Sequence, residues 1–100
     1  MGYMVYLIMI QSFMHKGLER FFITGSKRGI VPDHAEKIAR ILDRLDASIS
    51  PADMNLPGYR LHELKGQKAG TWSVTVNANL RITFKFEGHN AILVDYLDYH

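Results

Sequence analysis

The sequence predicts an α+β fold: an antiparallel β-sheet meander with two N-terminal helices packed on one face. Three observations predict it. Apolar residues in the first half recur at helical spacing over two separate stretches. From "LPGYRLHELKG" onward the pattern changes to alternation, and no helical period returns. The elements also come in runs of one type instead of strict alternation, which separates α+β from α/β.

The opening "MGYMVYLIMI" is apolar but breaks at Gln11, short of the roughly 20 residues that a membrane-spanning helix needs. The first lysine is Lys16, after the apolar run, so the basic start of a secretory signal is missing. Tyr3, Val5, Tyr6 and Ile8 favour extended chain, and residues 5–13 are expected to form a first strand. Over Lys16–Thr24, Leu18, Phe21 and Phe22 fall at i, i+3 and i+4, with Gly25 as the stop. "GIVPD" is a connector with Pro32 at a helix start. From Asp33 to Ser48, Ala35, Ile38, Ile41, Leu42, Leu45 and Ile49 mark one face, and Glu36, Lys37, Arg40, Asp43 and Arg44 the other. "SPADM" reads as a single capped turn, with Ser50 the cap and Pro51 at the first position.

The strand half can be read in register. Trp72, Val74 and Val76 alternate with Ser73, Thr75 and Asn77, while Ile82, Phe84 and Phe86 alternate with Arg81, Thr83 and Lys85. Both apolar sets face the helices only if the hairpin loop holds an odd number of residues. Ala78-Asn79-Leu80 satisfies this, with Asn79 left-handed. It would set Arg81 opposite Asn77, Thr83 opposite Thr75 and Lys85 opposite Ser73 on one polar face. "EGHN" turns the chain into a last strand, Ala91–Leu97. Its buried face does not follow from the pattern.

A chain of 100 residues makes one domain with one core. With 12 Lys and Arg against 10 Asp and Glu, the net charge of +2 is too slight to imply nucleic-acid binding; what matters is where the cations lie. There is no cysteine, so disulfides, thiolate metal sites and cysteine nucleophiles are excluded, and a cytoplasmic location fits. Asp95, Asp98, His62 and His100 carry ligating atoms. No two share ligand spacing on a helix, and neither metal nor cofactor is expected.

Chemistry-bearing groups gather in four stretches: "RLHELKG" with Arg60, His62 and Lys65; "VNANLRITF" with Asn77 and Arg81; "KFEGH" with Lys85; and "DYH" at Asp98, Tyr99 and His100. In a meander, the end of the final strand can lie near the start of the one before it, where Arg81 sits. A cationic cluster with an imidazole and a phenol on an open polar face suits a polyanion. The plainer reading makes Arg81 and Lys85 solvating charges.

"LHELKG", "TWSVTVNANLRITF" and "VDYLDYH", with "MIQSFMHKGLERFFITGS" near the start, together resemble the HigB family of toxin–antitoxin toxins, within the RelE-like fold. The resemblance spans Met9–His100 and leaves residues 1–8 as an N-terminal extension of a single domain. It implies a ribosome-dependent mRNA endonuclease that inhibits translation. Its partners would be a helix-turn-helix antitoxin (HigA-like) and the 70S ribosome with its mRNA; promoter DNA would be reached only through the antitoxin, and no membrane is involved. It also implies catalytic roles for Lys65, Arg81, Asp98, Tyr99 and His100, with His62 adjacent; on the polar face read above, His62, Asn77 and Lys85 are expected to contact RNA. The chain departs from the pattern at Asn77, where some relatives carry a basic residue, and at Leu80, where many carry an aromatic one.

Such a site could cut RNA without metal. The 2′-OH attacks the neighbouring phosphate, a base takes its proton, an acid protonates the leaving 5′ oxygen, and cations hold the added charge. Arg81 and Lys65 would hold that charge, His100 would move protons near neutrality, Tyr99 would position RNA and Asp98 orient a neighbour. Two other readings stay open. One is a toxin of the same fold that poisons a protein such as gyrase without nuclease chemistry; the other is a degenerate, non-toxic module that only binds antitoxin.

Overall fold

In the computed structural model of the protein, residues 10–98 are described. Helix α1 (Lys16–Thr24) and helix α2 (Ala35–Asp46) precede strands β1 (His62–Glu63), β2 (Trp72–Thr75), β3 (Leu80–Glu87) and β4 (Asn90–Asp98). The strands form one antiparallel sheet in the order β1-β2-β3-β4.

Helix α1 begins where the His15 ring Nδ1 accepts the Leu18 N–H at 3.0 Å. It ends at Gly25, whose φ of 80° lets its N–H close onto the Phe21 carbonyl. The connector passes against this helix backbone to backbone, since a Cβ on Gly17 would lie 2.7 Å from the Gly29 Cα. Residues Pro32–His34 wind as a 3₁₀ turn, so α2 starts at Ala35, later than the spacing suggests. It stops at Asp46, and Ile49 lies outside it and 52% exposed. There the chain is turned outward: the Asp53 carboxylate accepts the N–H groups of Ile49 and Ser50 at 2.9 and 3.3 Å, closing the turn Pro51–Met54.

The core lies between the helices and one sheet face. Leu18 and Phe21 of α1 and Ile38, Ile41, Leu42 and Leu45 of α2 pack with Val74, Ile82, Phe84, Ala91 and Val94. Burial at this scale contributes roughly 1.5–3 kcal/mol for each large apolar side chain.

The β2–β3 pairing differs from the sequence reading by two residues. Trp72 lies opposite Phe84, Ser73 opposite Thr83, Val74 opposite Ile82 and Thr75 opposite Arg81. Arg81 is thus not opposite Asn77, Thr83 not opposite Thr75, and Lys85 not opposite Ser73. The loop is still odd in length, which keeps the faces, but it is Asn77-Ala78-Asn79, closed by the Val76 N–H on the Leu80 carbonyl at 2.8 Å. The cause is the Asn77 side chain, whose Oδ1 accepts the N–H groups of Asn79 and Leu80 at 3.1 and 2.8 Å and pulls Asn77 out of the strand. Asn79 is not left-handed; among the described residues only Arg60 and Leu93 are non-glycines with positive φ.

Strand β4 carries a bulge. Thr83 pairs with Asp95 but Lys85 with Ile92, so β4 spends one residue more than β3 across this step. Leu93 sits there at φ 54°, and its N–H donates to the Ser12 hydroxyl at 2.9 Å. Ala91 and Val94, three residues apart, are therefore both buried. The expected first strand, 5–13, is described only from residue 10. Its end runs parallel to β4, with Ile10 against Ala91 and Phe13 against Val94. Residues 1–8, read as an extension, lie outside the described part.

Candidate functional site

The sheet face turned away from the helices carries two polar rows. His62 lies opposite Ser73, Ser73 opposite Thr83, and Thr83 opposite Asp95, one residue from each strand. Directly paired residues point to the same face, so these four side chains form a row across the sheet. The next row is Thr75, Arg81 and Leu97. Ser73 and Thr83 are buried within this face, and the Ser73 hydroxyl has no hydrogen-bond partner among the described residues.

Arg81 is half-buried and its Nη1 donates to three carbonyls of the adjoining hairpin: Asn77 at 2.8 Å, Ala78 at 3.0 Å and Leu80 at 3.2 Å. Asn77 is itself held from the other side, its Nδ2 donating to His34 Nε2 at 2.9 Å. The Asn77 amide therefore has protein partners at both ends. A carbonyl can only accept, so the 3.1 Å contact between His62 Nδ1 and the Arg60 carbonyl places the proton on Nδ1. That leaves Nε2 as the basic nitrogen of an exposed ring.

Lys65 is exposed at the root of the loop joining β1 to β2. That loop is pinned at both ends. Leu64 N–H donates to the Thr71 carbonyl at 2.8 Å, and Gly70 N–H to the Glu63 carboxylate at 2.8 Å. Gly66 and Gly70, at φ 70° and 91°, allow the tight path between. Lys85 stands two residues beyond Thr83 on the same side of β3, half-buried. Asp98 pairs with Leu80, in phase with the helix-facing residues but exposed at the strand's end. Tyr99 and His100, expected to act in catalysis, lie outside the described residues. Among the described residues, then, Arg81, His62 and Lys85 share one sheet face, Lys65 stands on the loop that leaves β1, Asn77 supports the face from the turn, and Asp98 lies at the end of β4.

A family model described as the RelE-like toxin of type II toxin-antitoxin system HigB matches residues 11–100. The chain belongs to this family. It is 41% identical over 92 residues to the Endoribonuclease HigB of Proteus vulgaris, covering 92% of this chain and 100% of that one. It is 33% identical over 94 residues to the Toxin HigB-1 of Vibrio cholerae serotype O1, covering 92% and 98% respectively. Among solved structures, a YoeB/ParE toxin from Agrobacterium tumefaciens superposes with a TM-score of 0.58 at 18% identity, over 91% of this chain and 96% of that one. The likeness confirms the RelE-type α+β fold. As a toxin of a type II system, the chain is one half of a pair with an antitoxin. No helix among the described residues is long and apolar enough to cross a membrane.

Two contacts that tie β4 of this HigB toxin to the segments flanking its helices had no sequence signal. One is the Ser12–Leu93 bond at the bulge. The other is Tyr96, whose hydroxyl accepts the Val31 N–H at 3.3 Å and whose ring meets His15 edge-on, centroids 5.3 Å apart. Burial raises the Tyr96 pKa above its usual value, the Val31 bond lowers it in part, and the nearby Asp98 carboxylate raises it again. Above a pH of about 10 the unfolded phenol ionises before the folded one, so this contribution to stability is complete below that pH and lost as pH rises beyond it. Tyr96→Phe is expected to cost about 0.5–1 kcal/mol at pH 7 in urea unfolding. The gap between the two proteins should narrow in strongly alkaline buffer; a gap that widens there would contradict the assignment.

Proposed function

We propose that this toxin is an endoribonuclease that cuts mRNA on the ribosome through attack of the RNA's own 2′-OH. The observation that carries the reading is the placement of Arg81 and Lys85 on the polar face of β3, with His62 in the first row of that face and Lys65 on the loop that leaves β1. The name of the Proteus relative, an endoribonuclease, supports the same chemistry.

In this reading Arg81 and Lys65 stabilise the charge that builds on the phosphate. His62 and Lys85 contact RNA, and Asn77 acts through the turn that holds Arg81. His100 exchanges protons with the 2′ oxygen or the leaving 5′ oxygen, Tyr99 positions the strand and Asp98 orients a neighbour. As the new P–O bond to O2′ forms, the bond to O5′ breaks, so no metal or covalent enzyme intermediate is required. A net charge of +2 gives weak purchase on free single-stranded RNA, and the ribosome supplies the orientation. A helix-turn-helix antitoxin holds the toxin inactive and carries the contact with promoter DNA.

Purified toxin incubated with one mRNA, with and without programmed 70S ribosomes, tests this by mapping 5′ ends. Cleavage confined to the ribosome-bound message is expected. Equal cleavage of naked mRNA would remove the ribosome from the reading. A toxin that arrests growth but cuts neither sample would favour poisoning of a protein target.

A further inference from the structure

The connector between α1 and α2 is fastened to the sheet at two points. The Val31 N–H donates to the Tyr96 hydroxyl on β4 at 3.3 Å, and the His34 ring meets the Asn77 amide in the β2–β3 turn at 2.9 Å. Tyr96 is the cross-strand partner of Ile82, and Asn77 opens the turn that closes at Leu80. The two fastenings therefore bracket the first residues of β3, where Arg81 lies. Between them Pro32 holds φ within a narrow range and the chain winds as a 3₁₀ turn, so the span is short and stiff.

The hydrogen bonds fix the sense of the His34 contact. Asn77 Oδ1 is taken by the N–H groups of Asn79 and Leu80, so the end of the amide that faces His34 is Nδ2, which can only donate. His34 Nε2 must then accept, and the ring carries its proton on Nδ1. His34 also stands at the N-cap of α2, a position that Ser, Thr, Asp and Asn fill best. Its side chain makes no capping hydrogen bond to that helix. The ring serves the hairpin instead.

We propose that His34 is a positioning residue for RNA cleavage: through the Asn77 amide it fixes the turn whose carbonyls hold the Arg81 guanidinium toward the phosphate. This rests on the ribonuclease reading above. The path is continuous. His34 Nε2 holds the Asn77 side chain, and that side chain sets the turn by accepting from Asn79 and Leu80. The carbonyls of Asn77, Ala78 and Leu80 then take the Arg81 Nη1 at 2.8, 3.0 and 3.2 Å. A charge-stabilising donor works only where it is aimed at the developing charge before reaction begins, and a displacement of about 1 Å can cost about a hundredfold in rate. Without the ring, Asn77 would keep its bonds within the turn but lose this anchor to the helix connector.

His34→Leu and His34→Gln separate this role from packing alone, because Gln offers an acceptor near the reach of Nε2 and Leu does not. On programmed ribosomes His34→Leu is expected to lower kcat by about ten- to a hundredfold with KM little changed, and His34→Gln to recover most of the rate. In an Arg81→Ala background His34→Leu should cost nothing further, since no guanidinium is left to aim. Asn77→Ser can still accept within the turn but cannot reach His34, and it should repeat the loss. If His34→Leu does not fold by circular dichroism, Asn77→Ser decides alone, read with and without Arg81. Three results would each overturn the positioning role and leave the ribonuclease reading standing: a wild-type rate in the folded variants, no recovery by Gln, or the same fold-loss in both Arg81 backgrounds. Wild-type protein that cuts no ribosomal message would overturn both, and the two failures are therefore distinct.

Discussion

Arg81→Ala is expected to lower ribosome-dependent cleavage by about 10²–10³, the usual effect of removing one donor from a charge-stabilising site. It should also loosen the fold, which the sequence alone did not suggest. One guanidinium nitrogen bridges three carbonyls of the β2–β3 hairpin, and water can replace only part of that at a half-exposed turn, leaving a cost of about 1–2 kcal/mol. Activity and stability therefore need separate readouts: cleavage rate on programmed ribosomes, and a urea unfolding curve on the same preparation. Arg81→Lys divides the two roles further. It keeps a positive charge but loses the planar fork, so it should recover little activity. Wild-type cleavage by either variant would reduce Arg81 to a clamp on the turn.

Lys65→Ala should produce a rate loss of the same order, about 10²–10³, with almost no change in unfolding. Lys65 is exposed, and the loop that carries it is secured by Glu63, Leu64, Gly70 and Thr71 instead. Surface substitutions of this kind alter stability by no more than about 0.5 kcal/mol. Together the two variants locate the charge: both should fail in catalysis, and only Arg81→Ala should unfold earlier. If Lys65→Ala cut mRNA at the wild-type rate, the loop would be a wall of the site without a part in its chemistry.

The helices were legible because each contains one unbroken period and a recognisable stop. Gly25 after α1 and Ser50 before its turn work through backbone geometry that depends on one or two neighbours. Register was harder. Loop parity follows from the alternation of Val74 and Val76 with Ile82 and Phe84, but loop position depends on which asparagine folds back onto the chain. Asn77 does, and it takes the pairing with it. The face of β4 could not be read because its period changes at Leu93, and nothing in "AILVDYL" marks the residue that leaves the ladder. Lys65 and Arg81 could be picked out by their motifs. The contact of His34 with Asn77 could not, since nothing in either stretch points to the other.

The Leu93 bulge also governs which changes of chain length this strand can survive. Removing one residue at the bulge would leave a regular ladder with Asp95 still opposite Thr83, and everything that follows would keep its side. Removing one from the regular ladder beyond it, such as Tyr96, would instead bring Leu97 to the helix side and Asp98 to the polar face. The same loss at the exposed tip Ala78-Asn79 would disturb one turn. Inheritable single-residue length variation in the last strand should therefore be confined to the bulge, and occur elsewhere in it only in steps of two residues. Where the bulge is lost, Ser12, whose hydroxyl accepts the Leu93 N–H, is released from its role.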